Sequence, residues 1–456
     1  MDQRRDRKIK FSVFLTADCN YHVAGWRHPD AYADSGVNLQ HWIEYARTIE
    51  RAKMDMLFIA DTIGLPGVDR SDLIGFNTRG DKFEPFTLLS ALSCVTSSIG
   101  LVATAATTYN EPYTVARILA SLDHLSGGRA GWNMVTGGNH EDAFNFSHAA
   151  HPPHADRYAR AEEFGDVVIG LWDSFEDDAF PRDKATGRYL DADKMHVLNH
   201  KGERFSVKGP LSVARPPQGH PVIVQAGSSV PAKELAARLA DANFTAQPSL
   251  IDAKAFYADL KSRLAKFGRA PDSLKIMPGV VMYIGRTEAE AREKFERLQE
   301  LIPLPVALDR LSRMLGGIDL SGFPLDGPMP EIAGNEARMS TPMNYVRLAR
   351  RENLTLRQVA LRSAAGKDHW TLIGSPQQIV DQLENWFVNE GADGFNLLPP
   401  YVPDTLNDFA NLIVPEMQRR GLYRTEYEGT TLRENLGLAR PEPVWRCYTP
   451  SLRSRA

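Results

Sequence analysis

Polar side chains follow several predicted strands at the point where each strand ends. Asp61 follows the second predicted strand, Thr104 lies at the end of the third, and Asn133 and Thr136 lie at the end of the fourth. One such residue alone often only caps a helix or forms a turn. Their repetition on successive strand ends favours a shared ligand site, because catalytic groups in a parallel barrel sit at the carboxyl ends of strands.

The segment QAGSS at 225–229 leads from a predicted strand into a helix whose first turn contains Pro231. Free amides at a helix N-terminus and the hydroxyls of Ser228 and Ser229 together suit an anion. The alternative is a plain serine N-cap.

His154 and Tyr158 are four positions apart at the start of a predicted helix, so both side chains can face one point. Arg157 lies beside them. An imidazole, a phenol and a helix N-terminus would suit a phosphate monoester, whereas His154 taken alone is typical of a surface or capping residue.

The loop after the first predicted strand contains His22 and the segment WRHP at 26–29. An aromatic ring next to a cation and an imidazole could line a flat ligand. The alternative is a turn stabilised by packing of Trp26.

Other catalytic patterns are absent from the sequence. His140, His148, His151 and His154 are close together, but no H-E-x-x-H occurs, and we predict no metal site. There is also no G-x-S-x-G elbow of a serine hydrolase and no C-x-x-C pair.

Eight short β-like runs alternate with amphipathic helices, which predicts a (β/α)₈ TIM barrel. A doubly wound sheet is the alternative, but its usual G-x-G-x-x-G turn is absent. The predicted strands are 9–15, 56–60, 99–105, 130–135, 221–225, 243–246, 275–284 and 394–398.

Three stretches depart from the α/β repeat within what we interpret as a single barrel domain, 1–456. The polar, locally β-like segment 174–220 is an expected insertion after strand four, and 300–370 an expected insertion after strand seven that could act as a lid. The polar, basic segment 422–456 is an expected C-terminal extension.

Composition excludes several classes of protein. The 456 residues contain 53 Lys and Arg against 57 Asp and Glu, a net charge of −4, which argues against a nucleic-acid-binding protein. The hydrophobic fraction of 43% can build a large core. Three scattered cysteines, no signal-like leader and no apolar run of membrane length indicate a cytoplasmic enzyme.

Nine segments along nearly the whole chain resemble the flavin-dependent monooxygenases of the bacterial luciferase-like superfamily. Within it, the chain is similar to the nitrilotriacetate monooxygenase component A class, with its relatives acting on EDTA, dibenzothiophene sulfone and long-chain alkanes. The segments are WRHPDA at 26–31, FIAD at 58–61, ATAATTYNEPY at 103–113, LASLDHLSGGRAGWNMVT at 119–136, HADRYARAEEF at 154–164, PVIVQAGSS at 221–229, GSPQQIVDQL at 374–383, GADGFNLLP at 391–399 and YEGTTLRENLGL at 427–438.

The resemblance implies a cofactor and partners. Reduced FMN would come as a cosubstrate from a separate NAD(P)H-dependent flavin reductase, and O₂ would yield a flavin hydroperoxide that oxygenates a small organic substrate. A homodimer or homotetramer, with neither nucleic acid nor membrane as partner, is also implied. The segment 427–438 is a candidate subunit contact.

The resemblance also assigns roles to residues. It places Asp61 and Thr104 along the FMN ring system and Asn133 and Thr136 on the wall formed by strand four. The phosphate group would be bound by four residues, namely His154, Tyr158, Ser228 and Ser229.

Proton handling and substrate binding are less sharply marked. His22, His28 and Tyr109 are candidates for proton handling, because they lie near strand ends. Arg79 and Lys82 could meet a carboxylate, although solvated surface charges are the favoured interpretation. A deazaflavin-dependent oxidoreductase, a non-catalytic flavin-binding protein and a metallohydrolase stay open as alternatives.

Overall fold

Eight parallel strands form a closed barrel at the centre of the structure, which confirms the predicted TIM-barrel fold. The computed structural model describes residues 7–16, 18–65, 67–68, 73–315, 317–330, 346, 349–366 and 369–447. The barrel closes in the order β1-β2-β3-β4-β7-β8-β9-β11, with β11 pairing back to β1. The strands of the chain are β1 Lys10–Leu15, β2 Met56–Ile59, β3 Gly100–Ala106, β4 Ala130–Val135, β5 His200–Lys201, β6 Ser206–Val207, β7 Val222–Ala226, β8 Ala242–Thr245, β9 Lys275–Ile284, β10 Trp370–Gly374 and β11 Gly394–Leu397.

Helices surround the barrel, and their apolar faces pack against the outside of the strands. In the described part of the chain, no helix combines the length and the apolar character that crossing a bilayer requires. The helices are α1 Leu39–Arg51, α2 Pro85–Ser93, α3 Pro112–Ser126, α4 His154–Trp172, α5 Val230–Leu239, α6 Leu250–Leu264, α7 Glu288–Glu300, α8 Leu304–Met314, α9 Leu356–Gly366, α10 Pro376–Val388, α11 Asp404–Asp408, α12 Val414–Arg419, α13 Leu432–Leu436 and α14 Val444–Cys447.

The alternation of side chains along β4 decides which residues face the barrel interior. Trp132 and Met134 pack outward in one apolar cluster with Phe164 of α4. Because successive side chains of a strand point to opposite faces, Asn133 between them points inward. Gly131 also faces the interior, where a β-carbon would lie 2.8 Å from a methyl group of Val102.

Hydroxyl side chains cap the starts of α7 and α10. Ser375 and Gln378 form the full capping box that begins α10. At α7, Thr287 caps the helix, but the carboxylate of Glu290 accepts a hydrogen bond from the backbone N–H of Arg286 at 2.8 Å. Glu290 therefore binds the residue before the N-cap of α7 and not the N-cap itself.

The segment 174–220 contains the short antiparallel pair β5–β6, in agreement with its β-like sequence. In the segment 300–370, α8 and α9 pack together through a small apolar cluster that includes Leu311 and Leu356. The strand β10 follows and pairs with the upper part of β9. β10 was not among the predicted strands, because its residues form neither a regular alternation of buried and exposed side chains nor a continuous buried run.

The C-terminal segment 428–438, here called the floor segment, closes the amino-terminal end of the barrel. Leu432, Leu436 and Leu438 pack against the inward-facing residues of the strands. The guanidinium of Arg433 donates to both carboxylate oxygens of Asp241, at 3.0 and 2.7 Å. The floor segment thus follows the last barrel strand, but its three leucines are buried against the barrel and are not available to a second subunit.

Candidate active site

A cavity of about 310 Å³, here called the mouth cavity, lies at the carboxyl ends of the barrel strands. It is lined by Phe14 at the end of β1, Asp61 after β2 and Phe244 in β8. His369, just before β10, stacks on Phe244 with ring centroids 5.4 Å apart. This is the face where catalytic groups of such barrels gather.

Asp61 lies at the wall of the mouth cavity and forms an ion pair with Lys82. The Lys82 ammonium also donates to the carbonyl oxygen of Thr62 at 2.5 Å. Both side chains of the pair are less than a fifth exposed. Lys82 is therefore not the solvated surface charge that the sequence favoured.

Thr104 and Asn133 are neighbours across β3 and β4, as their strand positions predicted. Thr104 Oγ1 donates to the carbonyl oxygen of Ile59 at 2.7 Å and accepts from Asn133 Nδ2 at 2.9 Å. Asn133 Oδ1 is buried and accepts no hydrogen bond from the described residues. A buried acceptor without a donor costs free energy, and a bound ligand with an N–H group would satisfy it.

Thr136 lies just beyond β4, next to a turn that an arginine holds in place. Its carbonyl oxygen accepts from Thr108 Oγ1 at 2.7 Å and from Arg157 Nη1 at 3.4 Å. Arg157 donates to the Gly137 carbonyl oxygen as well. Arg157 therefore stabilises the end of β4.

The four residues that are expected to bind the phosphate lie at the N-termini of α4 and α5. The rings of His154 and Tyr158 are 4.7 Å apart on the first turns of α4. A β-carbon built at Gly227 would lie 3.7 Å from Tyr158 Oη, and the positive φ of 136° also favours glycine there. Ser228 and Ser229 follow, both exposed, and Ser229 caps α5. The Tyr158 hydroxyl thus lies close to the turn that leads into the N-terminus of α5.

The two histidines of the first loop are buried in different surroundings. His22 Nδ1 accepts from the backbone N–H of Ala24 at 3.1 Å, and its ring contacts Gln299. His28 stacks on Tyr401 with ring centroids 4.0 Å apart, and its Nδ1 lies 3.3 Å from the backbone N–H of Asp30. Of these two, only His22 lines a cavity described below.

Acid should weaken the fold through His28. Burial lowers the pKa of His28 below the usual value of 6.5; Arg297 and Lys294 act in the same direction, and Asp30 opposes them. A group whose pKa is lowered by folding contributes stability above its unfolded pKa, and this contribution is lost as the pH falls through the folded pKa. We expect His28→Phe, which keeps a stacked ring, to reduce the loss of unfolding free energy between about pH 7.5 and about pH 5.5, measured with urea.

The control for this measurement is His124→Phe on the exposed face of α3, which should keep the parental pH dependence. An unchanged pH dependence in His28→Phe would contradict the role assigned to His28.

Tyr109 lies apart from the mouth cavity. Its hydroxyl is 2.6 Å from His151 Nδ1, and its ring stacks on Phe146. It lines a separate cavity of about 470 Å³ on the α4 side. Burial and Asp142 raise the pKa of Tyr109, while burial and Arg157 lower the pKa of His151, so both groups are held neutral.

The sequence predicted only Asp61, Arg79 and Lys82 among the residues of the mouth cavity, and Tyr21, Phe244 and His369 are among those that it did not indicate. Phe244 is the inward-facing aromatic residue of β8, and the alternation of side chains along this strand could have indicated its position. His369 carried no such signal, because its place depends on how β10 lies against β9. Among the described residues, no three His, Cys, Asp or Glu side chains lie close enough together to hold a metal ion.

Comparison with known proteins places this arrangement in a family. The sequence pattern of the family described as "Luciferase-like monooxygenase" matches residues 19–394. Nitrilotriacetate monooxygenase component A of Aminobacter aminovorans is 53% identical over 439 residues, covering 94% of this chain and 96% of that protein.

Two solved structures share the fold over nearly all of the chain. The crystal structure of DmoA from Hyphomicrobium sulfonivorans gives a TM-score of 0.87 at 31% identity, covering 94% of this chain and 92% of that one. A riboflavin lyase (RcaE), solved with modified FMN and riboflavin, gives 0.81 at 31% identity, covering 94% and 96%.

Proposed function

The chain belongs to the luciferase-like monooxygenase family, and from this premise we propose that it uses reduced FMN and O₂ to oxygenate a small organic substrate. The observation that carries the choice of cofactor is the buried acceptor Asn133 Oδ1, which faces the barrel interior and fits an N–H group of a flavin ring. The riboflavin lyase with its modified FMN supports the same choice.

The residues divide into a ring site and a phosphate site. Asn133 and Thr104 would bind the ring edge, and Asp61 would line it from the wall of the mouth cavity. The phosphate would lie between Tyr158 and the start of α5, where hydroxyl and amide donors suit an anion. His154, Ser228 and Ser229 would complete this group, and Thr136 would support the wall between the two sites.

Bound reduced flavin supplies two electrons to O₂, so that one oxygen atom enters the substrate and the other leaves as water. The protein's own contribution is to bind, orient and exclude solvent. Phe14 and Phe244 give the mouth cavity an apolar wall that keeps water from the reacting atoms. His22 lines a second cavity that adjoins the mouth cavity, and from there it would hold or move a proton. Tyr109 and His28 are weaker candidates, because neither lines the mouth cavity or the cavity that adjoins it.

A separate flavin reductase would supply the reduced cofactor, in keeping with the name "component A" of the relative from Aminobacter aminovorans. We further propose that the enzyme acts in the cytoplasm as a homodimer or homotetramer.

The test is an anaerobic titration of the purified protein with reduced and with oxidised FMN, followed by ¹⁸O₂ and candidate substrates. We expect tighter binding of the reduced form and transfer of one labelled oxygen atom to a product. A flavin-binding protein without catalysis would bind FMN and label nothing. Tight binding of a deazaflavin, or of neither cofactor, would overturn the proposal.

The residues proposed to bind the phosphate can be tested separately. Replacing His154 by alanine together with Tyr158→Phe should weaken binding of reduced FMN by about tenfold, because hydrogen bonds to a charged phosphate are lost at an open site. The same titration measures this. The control is His124→Ala with Tyr189→Phe, two exposed side chains away from the site. Equal affinities of the two double variants would remove His154 and Tyr158 from the phosphate site.

A further inference from the structure

A second cavity, of about 480 Å³ and here called the side cavity, adjoins the mouth cavity. The two share three lining residues, Thr16, Tyr21 and Arg79. The side cavity lies between the loop after β1, the loop around 73–79 and one face of α8. A molecule in the side cavity would therefore reach the mouth cavity past these shared residues.

Arginines dominate the charge of the side cavity. Its described lining contains three arginines and two carboxylates. The arginines are Arg79, Arg310 and Arg313, and the carboxylates are those of Asp18 and Asp309. Arg313 and Asp309 form an ion pair one helical turn apart on α8. The described lining thus carries one net positive charge, with guanidinium groups on the loop around 73–79 and on α8.

Arg79 stands at the boundary between the two cavities. It lines both cavities, so a bound molecule can contact it. Loss of solvent around it lowers the pKa of its guanidinium, yet an arginine stays charged under all ordinary conditions. A cation in such a concave, partly desolvated place attracts an anion more strongly than one on an open surface does.

We propose that the side cavity is the substrate site and that the substrate is a small organic molecule with two or three carboxylates, bound by Arg79, Arg310 and Arg313. This inference rests on the proposed function. Guanidinium groups bind carboxylates through two parallel hydrogen bonds, which fixes orientation as well as affinity. A substrate anchored on α8 would extend past Arg79 toward the mouth cavity.

The same charges disfavour apolar substrates. A hydrocarbon or thioether in the side cavity would displace water from three guanidinium groups without replacing its hydrogen bonds. The volume of about 480 Å³ is within the usual range of small-molecule sites. The arginines therefore act as specificity-determining residues.

The test uses a tricarboxylate probe, propane-1,2,3-tricarboxylate, and its uncharged triamide. Both are titrated calorimetrically into the full-length protein loaded anaerobically with reduced FMN, after flavin binding has been measured in the same sample. We expect the tricarboxylate to bind at least about tenfold more tightly than the triamide. Arg79→Met and Arg310→Met should each weaken its binding by about tenfold, whereas Arg79→Lys should restore only part of it.

The control is Arg292→Met on the exposed face of α7, which should bind both probes as the parent does. If FMN binds but the two probes bind equally, or neither binds, the substrate class is overturned while the proposed function stands. If FMN itself does not bind, the proposed function fails, and the assignment of a substrate site fails with it.

Discussion

Replacing Asn133 by leucine is expected to weaken binding of reduced FMN by up to about 100-fold while changing the free energy of unfolding by less than about 1 kcal/mol. The reason is the unsatisfied acceptor Asn133 Oδ1, which lowers the stability of the ligand-free fold and gains a donor only when a ligand binds. Leucine has nearly the same shape and removes that acceptor. Asn133 Nδ2 donates to Thr104 Oγ1 in the parent, and Thr104 Oγ1 keeps its own hydrogen bond to the Ile59 carbonyl oxygen after the replacement. Anaerobic FMN titration and urea unfolding measure the two effects.

The matched control is Asn243→Leu. Asn243 is fully buried on β8, and Asn243 Oδ1 also accepts no hydrogen bond from the described residues. It lies between the inward-facing Ala242 and Phe244 and so faces the helices, where it donates to Gln225 O and Oε1 at 3.1 and 2.9 Å. This variant should lose about 1–3 kcal/mol of stability and keep its affinity for FMN. The reverse pattern, with Asn133→Leu unstable but binding normally, would make Asn133 a purely structural residue.

Replacing Leu432 by alanine should cost about 2–5 kcal/mol of unfolding free energy, the largest stability effect that we expect from one side chain of the floor segment. Leu432 is fully buried. A β-carbon built at Gly100 would lie 2.5 Å from its Cδ1, and one built at Gly131 would lie 3.5 Å from its Cδ2. The leucine thus fills space that two glycines leave open, and rigid strands cannot collapse onto the cavity that alanine would create.

Denaturant unfolding of Leu432→Ala tests this, with Leu125→Ala as the control. Leu125 is 63% exposed on α3, and its replacement should change stability by no more than about 0.5 kcal/mol. A similar small change in Leu432→Ala would mean that the floor segment lies on the barrel without supporting it.

The fold could be predicted because the sequence repeats one simple signal. Each barrel strand is an apolar run followed by a helix, and β4 and β9 occupy the ranges that their sequences predicted. The strand β10 could not be found in this way, since it is partly exposed and is not a continuous apolar run. The pairing of Thr104 with Asn133 followed from their matching places on neighbouring strands.

Other parts of the site depend on contacts between residues far apart in the chain. Nothing near Lys82 indicates that it will pair with Asp61, and nothing near Arg310 indicates that it will share a cavity with Arg79. The floor segment gave the same difficulty, because the glycines that make room for Leu432 lie some three hundred positions earlier. A single sequence records such pairs only as isolated residues.

The position of the floor segment also has a consequence for biosynthesis. Gly131 and the neighbouring strands leave the ribosome roughly 15–60 s before Leu432 at ordinary elongation rates. For most of this interval the barrel lacks β11, which closes it against β1, and throughout the interval it lacks the leucines that fill its amino-terminal end. The nascent chain therefore exposes apolar strands until the floor segment has been translated. Chaperones that shield such surfaces are expected to bind it during this time. A ribosome that stalls between codons 400 and 427 would release a polypeptide that has every barrel strand and all the candidate site residues but no floor segment, suited to degradation rather than to oxygen chemistry.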